Sequence, residues 1–428
     1  MKKLSAIILC AAAMLLLAVS CDSFGEPEPE PSGKPYSRVL IMVEAGFNSL
    51  NPYIKEDIKE FCGSSKDGFI PPKGSNRAVI LVSHLLQDGI SPMSAAYRRP
   101  TSPVVERISR DHLGRTVRDT IKVLPSGTNL MDRSTLNEIL TLIRDSYRSD
   151  SYGLLLSSHG TGWLPAEYYA RHGGYTLWSA DTDPDNPWPD GIPVKTFGQG
   201  LEYVSGKEIS HELSLQDLAA AIPMKMDYIL FDACLMGGIE TAYELRDVAD
   251  VIGFSQAEVA AEGFAYSTLA KRLLCESPAS PEAVCQDYFE ACEAESSKVY
   301  QSATISLVDC SRLEPLAALC RELFEAHRDG LAAINHKEVQ GYFRQNKHWF
   351  YDLEDVLIKA GISAAEHQRL SAALEDCMIY RRSTPRILDD FDVRIFSGFS
   401  MYLPCNGDAT LDDCYRNLAW NKATSLVK

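Results

Sequence analysis

The sequence predicts an α/β fold in which a mostly parallel sheet is sandwiched by helices and followed by a largely helical C-terminal part. Short apolar runs rich in β-branched residues recur along the chain, and they are nearly continuous rather than alternating, as strands covered on both faces require. Stretches of helical character separate them, and strand-helix alternation is the pattern of a parallel sheet.

The first strands expected are Arg38 to Val43 (RVLIMV) and Arg77 to Val82 (RAVILV), then Tyr152 to Ser157 (YGLLLS) and Met226 to Phe231 (MDYILF), then Val251 to Phe254 and Ala303 to Val308. Helices are expected over Asn51 to Phe61, Ser134 to Tyr147, Leu215 to Ala221 and Gly238 to Val248. Ser214 with Asp217 has the spacing of a capping box ahead of Leu218, and Pro223 stands near that helix's stop. From Pro281 onward the chain reads as mainly helical, with helices over Ser311 to His327, Trp349 to Lys359 and Ala364 to Arg381, before a closing strand Gly398 to Leu403. Gly160 to Gly206 shows no period and is rich in Gly, Pro, Tyr, Trp and Asp, the mark of a functional insertion.

The chain has 428 residues, 45% of them hydrophobic and 23% charged, enough to bury a large core. Residues 1–20 read as a signal peptide: Lys2 and Lys3, an apolar run from Leu4 to Val19, then Ser20. Leu17-Ala18-Val19-Ser20-Cys21 resembles a bacterial lipobox, which implies that Cys21 carries lipid and that the protein is exported and held on the cell envelope, with outer-surface display open. Residues 21–35, acidic and Pro-rich, read as a flexible tether. The folded domain is expected over 36–428, with a core about 36–310 and a helical part about 311–428.

The net charge is −16, and loss of Lys2 and Lys3 makes the mature form more negative still. Such a surface repels phosphate backbones, so nucleic acid is not an expected partner, whereas basic peptides are favoured. Membrane contact is expected through the lipid alone. Of twelve cysteines, ten lie beyond the lipobox and none forms a CxxC pair, so neither a zinc knuckle nor a thioredoxin motif is indicated.

Two strands end in reactive residues: YGLLLSS runs into His159-Gly160, and MDYILF into Asp232-Ala233-Cys234. Ligands of open parallel sheets bind outside the carboxyl ends of the strands. A thiol attacks a carbonyl as its thiolate, and an imidazole both favours that thiolate and returns the proton to a leaving amine, so His159 and Cys234 make a catalytic pair. The amides of Gly160 and Cys234 are natural donors to the oxyanion.

SSHGTGW, ELSLQDLAAAIPMKMDYILFDACLMGGIETAYEL and SQAEVAAEGFAY look like the characteristic blocks of clostripain-like cysteine peptidases, and RVLIMVEAGFNSL, ATISLVDCSRL, FYDLEDVL and GFSMYLP resemble that family's outer blocks. The resemblance implies a caspase-like fold and cleavage of protein or peptide substrates after Arg or Lys. His159 matches the dyad histidine, Cys234 the nucleophile and Asp232 the acid that receives the basic side chain, with Glu258 and Glu262 as further candidates to line its pocket. It also implies self-cleavage in the insertion, for which Arg171 is the candidate, with Lys195 and Lys207 as rivals.

No cofactor or metal is expected. Asp181, Asp183, Asp185 and Asp190 leave calcium open, but Asn186 stands where an EF-hand loop needs glycine. The alternative to an enzyme is a catalytically inactive relative, a caspase-like surface lipoprotein that binds peptides or glycans.

Overall fold

In the computed structural model, residues 35–87, 99–165, 168, 200–204, 207–343 and 348–428 are described. Cys21, Arg171, Lys195 and the aspartates 181 to 190, with the signal and tether up to Lys34, lie outside them.

Five of the six strands that the apolar runs predict form the parallel centre of the sheet: β1 (Arg38–Gly46), β2 (Arg77–Leu85), β5 (Tyr152–Ser157), β8 (Met226–Asp232) and β9 (Ala249–Phe254). The hairpin β3 (Val104–Arg110) and β4 (Thr116–Val123) continues it antiparallel beyond β2; β10 (Thr304–Asp309) and β12 (Met378–Ser383) close the other side, also antiparallel. The order is β12-β10-β9-β8-β5-β1-β2-β3-β4. Small two-stranded ribbons complete the set: β6 (Gly200–Val204) with β7 (Lys207–His211), β11 (Tyr351–Asp352) with β15 (Ser400–Met401), and β13 (Arg386–Ile387) with β14 (Phe391–Asp392).

Every residue of β5 and nearly all of β1, β2 and β8 are buried, because helices cover the sheet. The helix Asn51–Gly63 packs on Tyr266–Ala270, which meets Pro281–Ala294. A second series runs from Arg133–Ser146 through Leu215–Ala221 and Ile239–Leu245 to Ala419–Thr424, which meets Leu313–Ala326 and, through it, Ala364–Cys377. Ser214 caps its helix as its spacing predicts, its Oγ accepting from Asp217 N.

Two expectations shift. The helix expected to reach Arg381 stops at Cys377, and Met378–Ser383 becomes edge strand β12. The open edge of β10 offers this segment a ladder of hydrogen bonds, and Arg381 Nη1 donates to Ser397 O, 2.8 Å, on the neighbouring segment. Trp349 and Phe350 precede their helix, whose first turn begins at Leu353 because Asp352 caps it, accepting from Asp355 N. Among the described residues no helix is long and apolar enough to cross a membrane.

Candidate active site

The register of the sheet builds the site. Ser83 of β2 pairs with Glu44 of β1, Glu44 with Ser157 of β5, and Ser157 with Asp232 of β8, a row of four buried polar residues at the C-terminal end of the sheet. His159 and Cys234 each follow that row by two residues, in the loops that leave the neighbouring parallel strands β5 and β8. The two loops therefore leave adjacent strands at the same end of the sheet.

Close approach of the two loops is visible at Gly162 and Leu235. Gly162 has φ +58°, and a Cβ there would lie 2.6 Å from Leu235 O. Leu235, directly after Cys234, is itself left-handed at φ 56°, which costs a non-glycine residue about 1 kcal/mol or more. Backbone bonds hold it there: Leu235 N donates to Ala257 O at 3.0 Å and Gly237 N to Ser255 O at 2.7 Å.

Those bonds bring the segment after β9 over the nucleophile. Cys234 is fully buried, with Val259 N–H donating to Sγ at 3.1 Å and Val259 O 3.7 Å from the sulfur. The segment is tied down in turn. Ser255 Oγ and Thr304 Oγ1 are 2.7 Å apart, Ala257 N donates to Thr304 Oγ1 at 3.0 Å, and Gln256 Nε2 donates to Ser306 Oγ and Gly398 O. In this state the thiol is closed to solvent, with Val259 against its sulfur.

Asp232 is 1% exposed, and its Oδ2 accepts from Tyr266 OH at 3.0 Å. Tyr266 is held far above the usual tyrosine range, by burial first and then by the negative charges of Glu44, Asp232 and Asp57. Glu44 and Asp57 are buried acids that sequence reasoning missed; Asp57 interrupts the buried face of its helix among Ile54, Ile58 and Phe61, and Glu44 ends an apolar run. Of the further pocket candidates, Glu258 is buried and Glu262 is exposed. Burial first, and then the charge of Glu262, raises the pKa of Tyr53 and Tyr300, so that charge lies toward the helix Asn51–Gly63 and the segment before β10. Gly160 is buried beside His159.

The C-terminal part clamps both loops. Ser400 N donates to Gly237 O at 2.8 Å, and Glu240 Oε1 accepts from Tyr402 N at 2.9 Å and Tyr415 OH at 2.7 Å. Burial pushes the Glu240 carboxyl up to about 7, and Oε2 has no hydrogen-bond partner among the described residues. Trp163, four residues after His159, packs at a tilt against Tyr402 and edge-on against Tyr415, with ring centroids 4.7 and 5.1 Å away. Tyr168 donates to Asp408 and packs edge-on against Trp349. These anchors have no chemical signature in the sequence beyond aromatic content, which is why they escaped it.

The ten cysteines from Cys62 to Cys414 are all free thiols. Among the described residues no group of three His, Cys, Asp or Glu side chains is placed to hold a metal ion.

A sequence model of the clostripain family matches residues 43–182 and 197–412, which is most of the chain. The chain belongs to the clostripain family. It is a cysteine peptidase with the family's caspase-like fold, acting on protein or peptide substrates. An inactive zymogen of a C11 protease from Parabacteroides distasonis superposes with a TM-score of 0.70 at 25% identity, covering 92% of this chain and 99% of that one. A secreted C11 cysteine protease from Bacteroides thetaiotaomicron superposes with a TM-score of 0.70 at 19% identity over 92% of this chain and all of its own. Another such structure from that organism, bound to an irreversible peptide inhibitor, gives 0.68 at 21% identity, covering 91% and 99%. No curated protein matches the chain.

Proposed function

We propose that this clostripain-family peptidase is an endopeptidase that cuts after Arg or Lys through a dyad of His159 and Cys234. The observation that carries the reading is the equal offset of the two residues from the paired strand ends Ser157 and Asp232, with loops close enough that only glycine fits at 162. The Cys234 thiolate attacks the scissile carbonyl, the amides of Gly160 and Cys234 receive the oxyanion, His159 hands its proton to the leaving amine, and water releases the acyl-enzyme. Asp232 supplies the negative charge for the basic side chain; a carboxylate in a desolvated pocket engages guanidinium through a charge-assisted fork and ammonium through a simpler ion pair. The reaction so written needs no cofactor.

The closed thiol supports a latent precursor that matures by cutting itself within the insertion after His159, with Arg171 the site. The lipobox supports export and anchorage through Cys21; a Cys21→Ala protein is expected in the soluble fraction rather than with membranes.

Fluorogenic peptides ending in Arg, Lys, Asp or Asn, given to the wild type and to Cys234→Ala, test the reading. Turnover of Arg or Lys peptides that disappears with Cys234→Ala is expected. Turnover of only Asp or Asn peptides removes the assigned role of Asp232, and turnover that survives Cys234→Ala removes the nucleophile.

A further inference from the structure

A thiol-imidazole pair leaves one question that the strand ends do not answer: what fixes the ring of the histidine. Imidazole has two nitrogens, and only one can face sulfur. The other is productive when it carries a proton that some acceptor holds, because that fixes both tautomer and ring plane.

The segment after β1 supplies such an acceptor. Ser49 Oγ lies 2.8 Å from His159 Nε2. The sequence around it, Ala45-Gly46-Phe47-Asn48-Ser49-Leu50, is folded so that this contact is not left to a free rotor. Asn48 turns the chain by accepting Leu50 N on Oδ1 at 2.9 Å while Nδ2 donates to Ala45 O at 2.9 Å. The same Nδ2 reaches Ser158 Oγ at 3.4 Å, and Ser158 Oγ donates to Ala45 O at 3.0 Å, so the residue preceding His159 is joined to the turn that presents Ser49. Phe47 stacks on His84 of β2, centroids 4.6 Å apart and nearly coplanar, which holds the turn from its other side. Asn48 and Ser158 are both buried, as is His159.

We propose that Ser49 is the positioning residue of His159: its hydroxyl oxygen accepts the Nε2–H, and Nδ1 is thereby committed to the proton traffic with Cys234. This rests on the dyad reading above. For the neutral ring, a lone pair on Nδ1 requires the proton on Nε2, so Ser49 accepts. For the imidazolium both nitrogens carry protons, and Ser49 accepts again. The same bond serves both halves of the cycle, and it strengthens when the ring is charged, since hydrogen bonds to ions are about twice as strong as neutral ones. Ser49 thus does with a neutral oxygen what a carboxylate does in a triad, orienting the ring without adding a buried charge beside it. The other titratable groups on the neighbouring strand ends are Glu44 of β1, Asp232 and Cys234 at the end of β8, and His84 of β2, whose burial pushes it down to about 4 so that it stays neutral while His159 works.

The test uses the full chain with Ser49→Ala, Ser49→Thr, His159→Ala and Cys234→Ala, assayed on an Arg-ending fluorogenic peptide across pH. Ser49→Ala is expected to lower kcat about tenfold with KM nearly unchanged, and to move the alkaline limb of kcat/KM to lower pH by roughly half a unit, because the imidazolium has lost an acceptor. Ser49→Thr keeps the hydroxyl and is expected to restore both. In parallel, nitrogen-15 NMR of the histidine side chains in Cys234→Ala, with His159 assigned by its loss on substitution, should show the Nε2–H tautomer. Wild-type kcat and an unmoved alkaline limb in Ser49→Ala, with His159→Ala inactive, overturn the role of Ser49 and leave the dyad standing. An active His159→Ala overturns the dyad itself. A His159 protonated on Nδ1 when neutral overturns the proposal whatever the kinetics show, and so does a Ser49→Thr protein no better than Ser49→Ala at an unchanged melting temperature.

Discussion

Substituting Gly162 by alanine should separate the two halves of the active site by a known amount. The new Cβ would meet Leu235 O at 2.6 Å and Phe350 Cε1 at 3.0 Å, where ordinary contact starts near 3.4 Å. Relief of the clash with the carbonyl therefore needs a displacement of about 0.8 Å, and the atom in the way is backbone one residue past Cys234, which cannot swing aside as a flexible side chain would. Misplacement of catalytic groups by about 1 Å costs on the order of 100-fold in rate. The left-handed φ of +58° adds about 1–2 kcal/mol of strain, which lowers stability independently of the clash. Gly74 separates the two effects, because its φ is +85° and nothing lies within 4 Å of an added Cβ. Gly74→Ala should lose melting temperature and keep kcat/KM; Gly162→Ala should lose both, with kcat/KM on an Arg or Lys peptide down about 100-fold. A folded Gly162→Ala enzyme with wild-type kcat/KM would refute the close apposition of the His159 and Cys234 loops as the basis of catalysis.

Asp232→Asn should raise KM for Arg and Lys peptides strongly and lower kcat/KM about 100-fold, by loss of a charge-assisted pair worth about 3 kcal/mol; equal activity on basic substrates would free Asp232 from the pocket. Glu240 gives a pH signature in stability. Its carboxyl is raised from 4.5 to about 7 by burial, so the folded state holds the proton more tightly than the unfolded chain does. The stabilising contribution is complete below about 4.5 and is lost as pH rises through 7, a change of roughly 3 kcal/mol at most. Denaturation midpoints of Glu240→Gln relative to the wild type should improve steadily from pH 5 to pH 8, and a pH-independent difference would show that Glu240 is ionised in the folded protein.

The parallel centre of the sheet was legible because burial on both faces forces uninterrupted apolar runs, and β1, β2, β5, β8 and β9 fall on them. The hairpin β3–β4 was passed over. Its second strand mixes apolar, hydroxyl and charged residues over a half-exposed surface, and its turn is set by Asp111, whose Oδ1 accepts from Leu113 N and Arg115 N, with Gly114 at φ +77°. The Asp-x-x-Gly signal was present but weak beside the long apolar runs. Met378 to Arg381 read as helix because helical propensity carries no knowledge of the free edge of β10. The placement of His159 and Cys234 just past two strand ends was legible from residue type and position together. Ser49, Val259 and Tyr266 were not, because a serine, a backbone amide and a tyrosine become site residues only through contacts distant in sequence: Ser49 to His159 spans 110 positions and Tyr266 to Asp232 spans 34.

The ten cysteines among the described residues are all free thiols, so labelling can discriminate the nucleophile from nine others. Active enzyme treated with an Arg-ending peptide chloromethyl ketone, then digested and sequenced by mass spectrometry, should carry the peptide on Cys234 alone, and the adduct should vanish in His159→Ala. An adduct on any other cysteine, or labelling of Cys234 at full rate without His159, would contradict the pairing of these two strand ends as the catalytic centre.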